Sequence, residues 1–213
     1  MTDAPTTRLM LVTPEVADAA AFLPALQAAL GGGDIAAVVI RLAEADDRTR
    51  LGCAKSLVAA AQSAGAAALL SGNGVEDIVG KSGADGVHVS AEESGLADAI
   101  ERFKPEKIVG CSAPRSRDAA MSAGEAGADY VLFGDLTGER PFQETLERVE
   151  WWVPIFELPC VGLAAEIGDV AALAAADAEF AALADAVWRH PQGPAAAVAA
   201  AGAALSMAQA PTP

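Results

Sequence analysis

The sequence predicts a single (β/α)8 TIM barrel, an α/β fold, on three observations. The chain alternates eight times between a short apolar, strand-like run and a helical stretch. One phrase occurs twice, since Gly83-Ala84-Asp85-Gly86-Val87-His88 returns in weaker form as Gly127-Ala128-Asp129-Tyr130-Val131-Leu132. Each copy brings an alanine-rich helical stretch to a glycine able to take the positive φ that closes a helix, and a strand follows. A helix-to-strand joint repeated in this way marks a chain of βα units. Finally, no Gly-x-Gly-x-x-Gly follows the first strand, so an open doubly wound sheet lacks its dinucleotide signature.

In order, the first strand is Arg8–Pro14, with a helix over Ala17–Leu30 and a triple-glycine turn. The second strand is Ile35–Leu42, followed by a helix over Thr49–Ala64. Ala66–Ser71 is the third, with a short helix over Val75–Lys81. The fourth, Gly86–Ser90, leads to a helix over Leu96–Phe103, and Pro105 stops further helix before the fifth, Lys107–Ser112. A helix over Arg117–Ala126 precedes the sixth, Tyr130–Asp135, and another runs from Gln143 to Trp152. The seventh is Cys160–Ala164, the eighth Ala181–Val187, and Ala195–Met207 is the final helix. Ala171–Ala182 is so rich in alanine that periodicity alone does not separate helix from strand there. The expected organisation is a flexible N-terminus over 1–7, a barrel over 8–208 and a flexible tail over 209–213.

Composition narrows the function classes. With 213 residues, 53% of them hydrophobic, the chain can bury one full core. No apolar run is long enough to span a bilayer, and Met1-Thr2-Asp3-Ala4-Pro5 lacks the basic start and apolar stretch of a signal peptide, so a cytoplasmic location is expected. Fourteen basic against 29 acidic residues leave a net charge of −15, which repels nucleic acid and anionic membrane. A small-molecule ligand is the expected partner. Cys53, Cys111 and Cys160 have no metal-ligand spacing and read as small buried hydrophobes.

In such a barrel the chemistry lies after the strands, at their C-terminal ends. Candidates there include Thr13 and Glu15, Arg41 and Glu44, Ser71 and Asn73, His88 with Glu92 and Glu93, and Cys111 with Ser112. Farther round come Asp135 to Arg140, Glu166, Asp185 and His190. Carboxylates of this rim suit a hard cation, although a solvated acidic loop has the same spacing. Trp151-Trp152 reads as core packing or as a subunit interface, which leaves a homo-oligomer open. Cys111 has no histidine placed by sequence to activate it as a nucleophile.

Leu11-Val12-Thr13, Gly83–Val89, Gly110-Cys111-Ser112 and Gly127–Gly134 together resemble the thiamine phosphate synthase family, which includes a thiazole tautomerase branch, over roughly residues 8–188. The resemblance implies an enzyme that joins a pyrimidine diphosphate to a thiazole phosphate and releases pyrophosphate with the help of magnesium. On the family's pattern Arg41 holds the pyrophosphate, flanked by Val39 and Ala43 where the family has other polar residues. Asn73 falls on the family's asparagine and Gly74 on its first magnesium aspartate, and Glu93 replaces the second as the metal ligand. Ser112 matches the serine after the fifth strand, on the pyrimidine or pyrophosphate side. Arg140 stands near the family's lysine in the sixth loop. Arg41 and Ser112 are thus the catalytic candidates, with Asn73 and Arg140 added for substrate binding.

Other positions depart from the family's pattern. Ala164, Ala165 and Glu166 occupy its glycine-rich phosphate turn, and Asp185 falls on its phosphate-binding serine. Pro114 stands where the tautomerase branch has its acid–base histidine. His88 belongs to the scaffold motif and reads as a packed or hydrogen-bonded histidine. These departures set a second expectation beside the synthase, a catalytically inactive member that binds a less anionic ligand or serves as a regulatory or partner subunit.

Overall fold

The computed structural model describes residues 7–91, 95–113, 116–134 and 140–210. Its strands are β1 (Arg8–Val12), β2 (Ile35–Arg41), β3 (Ala67–Ser71), β4 (Gly86–Ser90), β5 (Ile108–Ser112), β6 (Tyr130–Phe133), β7 (Cys160–Ala164) and β8 (Phe180–Leu183). Each pairs in parallel with its sequence neighbours, and β1 pairs with β8 to close the barrel. The helices are α1 (Ala19–Leu30), α2 (Asp47–Ser63), α3 (Val79–Ser82), α4 (Gly95–Phe103), α5 (Arg117–Ala126), α6 (Phe142–Trp152), α7 (Val170–Ala175), α8 (Asp185–Trp188) and α9 (Pro194–Ala208). Several begin on polar caps: Asp18, Asp46 and Ser116 each accept backbone N–H bonds from the first turns of α1, α2 and α5. Among the described residues no helix is long and apolar enough to cross a membrane.

The expected eighth strand is corrected. It ends at Leu183, and Asp185 begins the single turn α8 instead of continuing a strand. The indole N–H of Trp188 donates to the carbonyl of Val12 at 2.7 Å, which holds this turn over the end of β1. The alanine-rich stretch divides after α7, where Asp177 takes φ 58° before β8. The helix expected over Val75–Lys81 is a 3-10 turn at Val75–Asp77 followed by the short α3.

The repeated Gly-Ala-Asp phrase acts at the opposite, N-terminal end of the barrel. Gly83 and Gly127 close α3 and α5 with φ of 81° and 98°. The aspartates then reach sideways: Asp85 accepts the N–H of Ala68 on β3, and Asp129 that of Val109 on β5, both at 2.7 Å. Asp177-Ala178-Glu179 is a third copy, with Asp177 in the glycine's place and Glu179 accepting the N–H of Cys160 on β7 at 2.9 Å. Asp34, just before β2, binds the guanidinium of Arg8 on β1 through two 3.0 Å bonds. An acid immediately before each even strand therefore fastens the start of the odd strand beside it.

Period-two alternation sorts the strand side chains into two layers. Met10, Val12, Val39, Leu69, Tyr130, Leu132, Val161 and Leu163 fill the barrel interior. Leu9, Leu11, Val38, Ile40, Leu70, Val131 and Phe133 face the helices. Tyr130 needs a gap in the layer. A Cβ on Gly110 would lie 2.0 Å from its ring, so only glycine at 110 admits the tyrosine. Trp152 is buried, stacks on Phe156 at 4.0 Å and donates its indole N–H to Leu158. Trp151 packs edge-on against it under the guanidinium of Arg117, so both tryptophans join the chain's own packing.

Two substitutions test this account. Asp129→Ala leaves the Val109 N–H and the Lys104 ammonium without their acceptor, and should cost about 1–3 kcal/mol in urea unfolding. Gly110→Ala collides with the Tyr130 ring and should cost at least as much, near the top of the roughly 1–3 kcal/mol range for overpacking; a neutral result would show that the ring is free to move aside.

Candidate active site

The matched registers of the strands level the C-terminal rim. Arg41 pairs with Ser71 at the ends of β2 and β3, and Ser90 pairs with Ser112 at the ends of β4 and β5. Between β3, β4 and β5 the rim opens into a cavity of about 330 Å³, lined by Ser71, Asn73, Glu76, His88, Ser90 and Ser112, with Gly72 and Gly74 in its wall. Asn73 and Ser112, expected at the site from sequence, are brought together here. Its lining is a set of neutral hydroxyl and amide groups with one carboxylate, suited to holding a polar ligand by several hydrogen bonds.

The other expected residues have different surroundings. Arg41 lies at the rim but donates to Glu15 at 2.9 Å. Its backbone N–H is fixed by the hydroxyl of Thr13, a buried residue that ties β1 to β2. Arg140 donates to Glu144, one turn along α6, at 2.9 Å. Neither arginine is among the described lining residues of the cavity. Asp185 is ion-paired with Arg189, and Glu166 caps the 3-10 turn at Ile167–Asp169 in a reciprocal pair with Asp169, so both carboxylates serve local structure. Glu92, Glu93, Pro114, Asp135, Thr137 and Glu139 lie outside the described residues.

His88 forms the wall between cavity and core. Its Nδ1 lies 2.8 Å from the hydroxyl of Tyr130, and the two rings stack with centroids 5.6 Å apart. Burial pushes the imidazole down to about 4, so it is neutral at physiological pH. Burial likewise pushes the Cys111 and Cys160 thiols up to about 12. Both remain protonated, which removes Cys111 as a nucleophile at neutral pH.

The corner after β3 contains a residue that sequence reasoning missed. Arg50, in the first turn of α2, is buried at 8% exposure and donates to the carbonyl of Asn73. The Asn73 amide in turn donates to Glu44 at 2.7 Å. A Cβ on Gly74 would lie 3.4 Å from a terminal nitrogen of Arg50. This corner does not fit a divalent cation: residue 74 has no side chain, the Asn73 amide points its N–H₂ at Glu44, and a guanidinium lies against both. Among the described residues no three acidic, histidine or cysteine side chains gather into a metal-binding group. The signal for Arg50 was its spacing, three and four residues before Cys53 and Ala54 on the apolar stripe of α2.

Comparison with known proteins places this rim in a family. The profile described as thiamine monophosphate synthase matches residues 9–187. The chain belongs to the thiamine phosphate synthase family. It is 41% identical over 197 residues to the thiamine-phosphate synthase of Rhodospirillum centenum, covering 90% of this chain and 94% of the relative. Identity to the thiamine-phosphate synthase of Hyphomonas neptunium is 37% over 204 residues, covering 91% of each. The fold is similar to that of the thiamine phosphate pyrophosphorylase from Pyrococcus furiosus, with a TM-score of 0.79, 21% identity, and coverage of 96% of this chain and 98% of that one. Membership of this family ties the chain to thiamine biosynthesis.

The His88 environment makes stability depend on acid. The unfolded imidazole titrates at its ordinary value of 6.5 and the folded one at about 4. Between these values the unfolded chain binds a proton that the folded chain does not, so stability falls as pH drops from about 6.5 to about 4. The loss from this group is on the order of 3 kcal/mol. His88→Gln, which can still bond Tyr130 but does not titrate, should lose correspondingly less between pH 7 and pH 4.5 in urea unfolding. Equal losses in the two proteins would refute the assignment.

Proposed function

We propose that this chain catalyses the condensation of a pyrimidine diphosphate with a thiazole phosphate, releasing pyrophosphate. The observation that carries the reading is the polar cavity between β3 and β5, which joins Asn73 and Ser112 at the barrel's C-terminal rim. Family membership over residues 9–187 supports it. In the reaction a nitrogen of the thiazole forms the new bond to the pyrimidine's methylene carbon as the diphosphate leaves with the bonding electrons. The chain's task is to orient the two partners and to stabilise the negative charge that gathers on the leaving oxygens.

Asn73 and Ser112 supply an amide and a hydroxyl to the pyrimidine diphosphate inside the cavity. Arg41 and Arg140 meet the departing pyrophosphate by exchanging Glu15 and Glu144 for phosphate oxygens. Both pairs are partly exposed and weak enough for such an exchange. The exchange also has a directional advantage, because guanidinium–phosphate contacts are bidentate and strengthen as charge develops. We assign magnesium no step, since the corner after β3 does not fit it and Glu93 lies outside the described residues.

Pyrophosphate release from the two precursors is the decisive assay, and its complete absence with folded protein would sink this reading. Arg41→Ala should lower kcat/KM about 10- to 100-fold, the equivalent of roughly 1.5–3 kcal/mol for a hydrogen bond to a charged group. Glu15→Gln, which frees the Arg41 guanidinium, should leave kcat/KM unchanged or raise it.

A further inference from the structure

Among the described residues Arg50 is a buried cation with no anion. It lies on the face of α2 formed with Cys53, Ala54, Leu57, Val58 and Ala61, where the helix packs its apolar side chains onto the barrel. Among the described residues it makes no ion pair, in contrast to Arg8, Arg41, Arg102, Arg140 and Arg189. One terminal nitrogen bonds the Asn73 carbonyl, and the Nε–H is buried without any acceptor. A guanidinium held in this state is costly, because buried charges are stable only when paired and fully hydrogen-bonded. Asn73 and Gly74, the two residues against which it rests, both line the rim cavity. Gly74, at φ 64°, places no side chain between the guanidinium and that wall.

We propose that Arg50 anchors a phosphoryl oxyanion at the β3 corner of the cavity, without a bridging divalent cation. The chemistry of the corner matches such a ligand. The guanidinium, directly behind the wall formed by Asn73 and Gly74, offers a rigid fork of N–H donors, and Ser71, Ser90 and Ser112 line the cavity in front of that wall. A phosphoryl group has enough oxygens to meet donors of both kinds at once. Glu76, the one carboxylate among the described lining residues, disfavours an anion beside it, so the donors must hold the ligand by direct contact. The ligand is the diphosphate of a substrate or free pyrophosphate; the group recognised is the same. This inference deepens the reading above as to which residue meets the anion, and it is tested through binding, so its failure leaves the condensation reaction standing.

The test is thermal unfolding and calorimetric titration of the whole chain with inorganic pyrophosphate, in EDTA and again with magnesium. A parallel titration with inorganic phosphate separates recognition of a single phosphoryl group from that of the linked pair. Wild-type protein should bind pyrophosphate in EDTA and gain thermal stability in proportion. Arg50→Leu should weaken that binding at least tenfold, while its ligand-free form melts no lower than the wild type, because an unpaired buried charge has been removed. A purely structural Arg50 would give the opposite result for the ligand-free form. Should the leucine variant not fold, Arg50→Gln decides by the same titration. Binding that appears only with magnesium, binding retained by the variant, or no binding by the wild type in either condition would overturn the proposal.

Discussion

The carboxylate placed immediately before every even strand is the constraint from which the barrel takes its level. Asp85, Asp129 and Glu179 accept a backbone N–H at the start of β3, β5 and β7, from Ala68, Val109 and Cys160, and Asp34 holds the Arg8 guanidinium of β1. A parallel strand entering a barrel leaves such donors unpaired, and a half-buried donor without an acceptor is costly. Answering them with a side chain from the neighbouring strand fixes two things together: the donor is satisfied, and the register between strands is set. That register carries through to the far ends of the strands. That is why Arg41 stands beside Ser71 and Ser90 beside Ser112 at the rim.

Above this base the interior is packed to a single arrangement. Tyr130 occupies the space left by Gly110 and carries its hydroxyl to His88, so a polar pair sits in the barrel with its hydrogen bond made. The ring of His88 then forms part of the cavity wall as a neutral group, since the surrounding core excludes the water that would stabilise its charge. The core thus reaches the site through a short chain of contacts: glycine, tyrosine, histidine, cavity.

The electrostatics of the rim follow from scarcity. A chain of net charge −15 repels anions at long range, and salt screens that repulsion beyond about 8–10 Å. Anion binding must therefore come from donors in direct contact. Most described arginines near the rim have a carboxylate of their own, as Arg41 has Glu15 and Arg140 has Glu144, and such exposed pairs exchange readily. Arg50 differs because burial has removed both water and partner.

By itself the sequence determined the order of strands and helices, the closing glycines at 83 and 127, and the rim positions of Asn73 and Ser112, because each depends on local conformation or on place along a strand. It named Asp85 and Asp129 within a phrase without indicating what they bind, since the acceptors' partners lie on other strands. The third copy of that phrase is not legible in the sequence: aspartate replaces glycine at 177 and glutamate replaces aspartate at 179, and the shared property is backbone geometry and reach, not residue identity. The end of β8 is not legible for a similar reason, since the bond from Trp188 to Val12 joins residues 176 apart in the chain. Only the tertiary structure decided which charges are paired. Arg41 finds Glu15, Asn73 finds Glu44, and Arg50 finds no carboxylate among the described residues, because these contacts form between different loops and depend on how closely closure of the barrel brings them.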